Sequence, residues 1–194
     1  MSSSAPAGFT EAEYLALERA SERKHEFVGG AIVAMAGARP PHNILAANIT
    51  SALVNLGRNA GCVAMTSDQR VHVPATGLYA YPDVTVACGE RSYDANDPPS
   101  LLNPTLLVEV TSESTEDYDR GSKFLHYQAI ASLEEYVIVS HRERRVDHFK
   151  RLPAGQWLAT TYSAGGMMQL AALGGAIGVD DIYSGVSFDE GRGR

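Results

Sequence analysis

Apolar positions along this chain fall into short runs and stripes whose spacing predicts helices and strands in mixed order. Thr10-x-x-Glu13 reads as a capping box ahead of Tyr14, Leu15 and Leu17, so a short helix opens there. Two strand-like runs, residues 25–28 and 31–35, flank Gly29-Gly30 and predict a β-hairpin. Pro40-Pro41 interrupts the chain. A second helix is expected over residues 42–56, with Ile44, Leu45, Ile49, Leu53 and Leu56 on one stripe and Gly57 and Gly61 near its end.

Three short strands are expected next, at 62–65, 71–73 and 82–87, followed by a polar loop over 89–104. Residues 105–111 are apolar on both faces, the pattern of a central strand. A helix over 117–131 and a strand over 135–140 follow. A hairpin then pairs 145–151 with 157–163 through Pro153-Ala154-Gly155, and the chain closes in glycine-rich turns around residues 179–183. This order predicts an α+β (mixed α/β) fold, a mixed β-sheet flanked by helices. With no internal repeat and no linker, residues 9–194 read as a single domain behind a flexible tail at 1–8.

Composition narrows the class. Hydrophobic residues make up 44% of the 194, as in a globular protein. No apolar run approaches the ~20 residues of a membrane helix. The first residues lack the basic and apolar regions of a secretory signal. Cys62 and Cys88 show no metal-ligand spacing and are expected to be two reduced, buried thiols of a cytoplasmic protein. A net charge of −7 counts against DNA binding by bulk electrostatics. Basic residues do cluster in His141-Arg142-Glu143-Arg144-Arg145 and Lys150-Arg151, a pattern that solvated hairpin residues also produce.

Two acids stand inside apolar strand-like runs: Asp83 in Tyr-Pro-Asp-Val-Thr-Val and Glu109 in Leu-Leu-Val-Glu-Val-Thr. A buried, ionised carboxylate costs several kcal/mol (roughly) unless a positive group offsets it. Residues two apart share a strand face, so Glu109 groups with Leu107 and Thr111, and Asp83 with Thr85. On neighbouring strands the two acids could converge about 5 Å apart. Two hard oxygen ligands suit Mg²⁺ or Mn²⁺, which lowers the pKa of bound water and polarises a phosphodiester. Lys123, on the following helix, is the candidate ammonium for the charge developing at phosphorus. Glu26, in the first hairpin, is a third candidate acid. Strand-entry, exposed-strand and helix ion-pair roles are the ordinary alternatives for Asp83, Glu26 and Lys123, the last with Asp119 four residues earlier. His42 reads as a helix-entry residue and Tyr127 as a core tyrosine, although either could reach the same cleft. No phosphate-binding loop, His-Glu-x-x-His motif or Gly-x-Ser-x-Gly elbow is present.

These residues resemble the Uma-two restriction-endonuclease family, within the PD-(D/E)XK nuclease superfamily. The resemblance rests on residues 10–17 and 26–32, Tyr81-Pro82-Asp83-Val84, residues 104–112 and 114–123, and residues 134–139. It implies a restriction-endonuclease-like core, a divalent metal (Mg²⁺ or Mn²⁺) and a homodimer. Carried over by position, Asp83 and Glu109 would be metal ligands, Lys123 a migrated catalytic lysine and Glu26 an amino-terminal acid. The chain departs from the superfamily pattern at Thr111, where a lysine is missing, and at Gly29, where the family commonly has an acid. The expectation is a metal-dependent endonuclease acting on DNA. The rival readings are a catalytically silent nucleic-acid- or partner-binding protein, and a dimerisation module in which Glu109 and Lys123 form a buried pair.

Overall fold

The computed structural model describes residues 8–188. Helix α1 (Glu11–Ala20) starts at Thr10, whose side chain and backbone both exchange hydrogen bonds with Glu13. Strands β1 (His25–Val28) and β2 (Ala31–Ala34) form the expected hairpin, and Gly29 and Gly30 turn it with φ of 57° and 81°. That left-handed pair is the geometry a two-residue turn needs, and glycine supplies it without a Cβ clash. Of the expected tail, residues 1–7 lie outside the described residues; Phe9 N–H donates to Gly30 O at 2.8 Å.

Helix α2 (Pro40–Ala60) begins two residues earlier than the pattern suggested. Pro40 and Pro41 are its first turn rather than a break, because a first-turn residue has no intrahelical use for its N–H. It ends at Gly61, in the left-handed conformation with φ 67°. Strands β3 (Cys62–Thr66), β4 (Arg70–Val73), β5 (Leu78–Ala80) and β6 (Val84–Cys88) follow, then the two-residue β7 (Ser100–Leu101) and β8 (Leu106–Val110). The expected strand at 82–87 thus begins only at Val84, and Asp83 sits in the bend before it. The expected helix over 117–131 is two pieces, α3 (Glu116–Arg120) and α4 (Ser122–Tyr127). They are broken at Gly121, where a Cβ would lie 2.8 Å from Asp117 O. Strand β9 (Glu135–Val139) leads to the β10 (Arg145–Arg151) and β11 (Trp157–Ser163) hairpin, paired as expected. A small ribbon of β12 (Met167–Leu170) and β13 (Gly175–Gly178), then α5 (Val179–Ile182), occupies the stretch read as turns.

Two larger sheets result, in strand orders β2-β1-β5-β4-β7 and β11-β10-β9-β8-β6-β3. Strand β8 is central in the second, antiparallel to β6 and parallel to β9, which explains its apolar character on both faces. One face of this sheet, with Val84, Val86, Val108 and Val110, packs on Leu45, Ile49 and Leu53 of α2. The other, with Leu107, Tyr136 and Ile138, shares a core with Val71, Val73, Leu78 and Ala80 of the first sheet and Phe124 and Tyr127 of α4. Helix α1 covers the outer face of the first sheet, with Tyr14 and Leu15 packed on Phe27 of β1 and Tyr79 of β5. No described helix is long and apolar enough to cross a membrane.

Cys62 and Cys88 are not separate thiols. They are cross-strand partners on β3 and β6 and form a disulfide, which sequence spacing could not reveal because the strands meet only in the sheet. The closed loop spans 26 residues, for which the chain-entropy estimate is roughly 3 kcal/mol. Unfolding the native protein in denaturant is expected to expose no titratable thiol, and two after reduction. Reduction should also lower the melting temperature by several degrees. Two thiols without reductant would contradict the pairing.

Candidate functional site

The inner faces of the two sheets meet α3, α4 and the start of α2 at a cluster of charged side chains. Strand alternation puts Glu26 on the side of β1 opposite Phe27, facing away from α1. Glu109 leaves β8 on the side of Leu107, opposite Val108 and Val110. The β6–β8 register, Val84 opposite Val108, sets Asp83 across from Glu109. Lys123, early on α4 after the break at Gly121, points into the cluster.

Lys123 is almost fully buried, and its Nζ lies 2.9 Å from both Glu26 Oε1 and Glu109 Oε1, with Asp119 Oδ1 at 3.7 Å. Tyr127 also donates to Glu109 Oε1, at 2.9 Å. Tyr81 N–H donates to Glu26 Oε1 at 3.3 Å. Asp83 stands on the other side of Glu109's strand. Its Oδ2 accepts the Val110 N–H at 2.7 Å and faces His42 Nε2 at 3.3 Å. Where the superfamily pattern would place a lysine, the Thr111 hydroxyl is instead engaged by His141, from its N–H at 3.2 Å and beside its Nδ1 at 2.8 Å.

Burial pushes the Glu109 carboxyl well above its ordinary value, against the pull of Lys123. Burial likewise raises Asp119, to about 6. For Lys123 burial acts downward but is outweighed by Glu109, Tyr127, Glu26 and Asp119, so the ammonium stays charged. His42 behaves similarly: burial lowers it, and Asp83 more than restores it. Three carboxylates (Glu26, Glu109 and Asp119) therefore face one ammonium, and Asp83 lies across the strand pair from Glu109.

Carboxylate oxygens are the donor type that Mg²⁺ and Mn²⁺ take. The hydrogen bonds to Asp83 and Glu109 fall on Oδ2 and Oε1, so Oδ1 of one and Oε2 of the other have no partner among the described residues. Neither is among the side-chain atoms sealed from solvent without a partner. Elsewhere Glu11, His72 and Asp94 lie within 4.8 Å of one another on the α1 side of the first sheet. That group carries hydrogen bonds of its own, His72 Nδ1 to Asp94 Oδ2 at 2.6 Å and the Tyr79 hydroxyl to Glu11 Oε1 at 2.5 Å.

Clefts of about 440 and 370 Å³ lie away from the cluster. One is beside Glu18, Arg70 and Tyr81; the other lies between the β10–β11 hairpin and the β12–β13 ribbon. The basic run at 141–145 provides no free positive track, since Arg142 pairs with Glu116, Arg144 with Asp180, and Arg145 with Asp147. Of the residues expected at a site, Glu26, Glu109 and Lys123 are in direct contact, while Asp83 stands opposite Glu109 and contacts His42 and the Val110 N–H. Asp119 was read only as a helix ion-pair partner, and its spacing from Lys123 was the available signal. His42 and Tyr127 were weighed as helix-entry and core residues; both also touch the acids.

Asp119 holds its proton more tightly in the folded than in the unfolded chain, so it lowers stability as pH rises from about 4 to about 6, and the loss persists above. Asp119→Asn is expected to stabilise the metal-free protein at pH 7 by on the order of 1–2 kcal/mol and to flatten stability across that window. Denaturant titrations at several pH values check this. An unchanged slope would remove the argument for excess negative charge.

Comparison with known proteins agrees with this architecture. Residues 11–178 match the family Uma2, described as "Putative restriction endonuclease". "Uncharacterized protein slr1290" of Synechocystis sp. is 34% identical over 176 residues, covering 91% of this chain and 92% of the relative. "Uncharacterized protein sll1609" of the same organism is 34% identical over 151 residues, covering 78% and 85%. The fold is shared with the crystal structure of "a putative nuclease belonging to DUF820" from Anabaena variabilis, at a TM-score of 0.75 and 15% identity over 91% of this chain and 98% of that one. The family match across most of the chain, with two relatives at this identity, places the protein in the Uma2 family.

Proposed function

We propose that the protein is a metal-dependent endonuclease that hydrolyses DNA phosphodiester bonds with water as nucleophile. The observation that carries this reading is the surplus of carboxylates around Lys123, with one free oxygen on Asp83 and another on Glu109. The family description supports the reaction class. Asp83 and Glu109 would hold Mg²⁺ or Mn²⁺, which when bound supplies a polarised phosphate and an acidified water. Lys123, fixed by Glu26 and Glu109, orients the attacking water or takes up charge on the non-bridging phosphate oxygens. The surrounding carboxylates accept the proton that water loses as its oxygen bonds phosphorus and the bond to the leaving oxygen breaks.

The net charge of −7 makes metal and local geometry the source of affinity rather than a basic face. A homodimer would let paired sites address both strands.

Wild type is expected to nick or linearise plasmid DNA with Mn²⁺ or Mg²⁺ and to lose this with chelator. Asp83→Asn and Lys123→Met should each reduce cleavage at least about 100-fold. Asp83→Asn is isosteric and should fold normally. Lys123→Met removes the partner of buried acids, so its folding is checked by circular dichroism. Mg²⁺ should raise the melting temperature of wild type and not of Asp83→Asn. Metal binding without cleavage would favour a catalytically silent binding protein; no metal response, with large destabilisation in Lys123→Met, would favour a structural ion pair.

A further inference from the structure

The start of α2 serves Asp83 in a way the proposed reaction does not yet use. Pro40 and Pro41 occupy the first turn, where their fixed φ stiffens the helix entry, and His42 is the next residue. Its side chain is mostly buried, and Nε2 lies 3.3 Å from Asp83 Oδ2. The contact is an ion pair when the imidazole is protonated, and Asp83 raises the His42 pKa against the effect of burial. The Val110 N–H reaches the same oxygen at 2.7 Å from the neighbouring strand. One acid oxygen is thus held between a strand backbone and a helix side chain, and Oδ1 is left free.

The other ring nitrogen of His42 adds a second observation. Nδ1 is sealed from solvent and has no hydrogen-bond partner among the described residues. A histidine serving only the packing of α2 gains nothing from an orphaned nitrogen, since an apolar side chain would fill the space without one. The geometry instead favours the contact to Asp83. His42 belongs to a different element from every other group in the cluster, so it ties α2 to the site.

We infer that His42 is a positioning residue for the metal site: by holding Asp83 Oδ2 it fixes the carboxylate so that Oδ1 is presented to the cation as a single ligand atom. Partners of this kind behind metal-binding carboxylates typically set affinity by ~10–100-fold. The inference rests on the metal-dependent reading and adds the residue that orients one of its ligands.

Mn²⁺ binding to metal-free protein, followed by the paramagnetic resonance signal of the free ion, tests it in wild type, Asp83→Asn, His42→Ala and His42→Gln. His42→Ala should bind Mn²⁺ about 10–100-fold more weakly, with its metal-free melting temperature unchanged or higher. His42→Gln, which can restore an N–H donor, should recover much of the loss. In the cleavage assay His42→Ala should lower kcat at fixed Mn²⁺ while leaving KM for DNA near the wild-type value. Mn²⁺ binding by His42→Ala equal to wild type would overturn this inference alone. Loss of metal-free stability without a change in Mn²⁺ affinity would make His42 structural and overturn it too. Wild type that binds no Mn²⁺ would overturn both this inference and the metal-dependent reading.

Discussion

One buried ammonium organises this molecule. Lys123 rises from α4 between two sheets, 2.9 Å from Glu26 on one and 2.9 Å from Glu109 on the other. Glu109 sits in the central strand of the larger sheet, where an uncompensated negative charge would cost several kcal/mol (roughly). The lysine offsets that cost because α4 approaches closely, and α4 is separated from α3 at Gly121, where a Cβ would meet Asp117 O. The aromatic and aliphatic core of Leu107, Phe124, Tyr127 and Tyr136 then closes around the same contact. Packing and electrostatics therefore specify one arrangement.

The balance struck there is incomplete. A single ammonium faces Glu26, Glu109 and Asp119, with Asp83 nearby, and burial raises Glu109 and Asp119 instead of letting both ionise freely. A protein selected for stability alone could replace such a cluster with apolar side chains at no loss. Its retention makes sense if the surplus charge is matched by something the pocket receives. A divalent ion and a phosphate edge would together meet that need, with Asp83 and Glu109 each offering one oxygen that the fold leaves unbound.

Local rules made much of this legible. The Thr10–Glu13 capping box, the Gly29-Gly30 hairpin and the 145–163 hairpin each depend on neighbouring residues, and each appears where the pattern put it. The apolar run around Glu109 announced a central strand, because both of its faces meet apolar neighbours. Misreadings arose where distant residues decide. Pro40-Pro41 begins a helix instead of ending a segment, since proline fits a first turn as well as a break. Gly121 divides a helix whose apolar spacing alone would have run on. Cys62 and Cys88 meet because β3 lies against β6, a pairing invisible in their separation.

By itself the sequence determined which residues carry unusual chemistry: acids in apolar runs are anomalous wherever the chain goes, because desolvation opposes them in any fold. It also determined the element types, which follow from near-neighbour periodicity. Only the tertiary structure decided that Glu26 and Glu109 share one lysine across two sheets, that Asp119 joins them, and that His42 stands behind Asp83. Those contacts join residues tens of positions apart, and their geometry follows from strand register and helix approach, quantities set by the packing of the whole core.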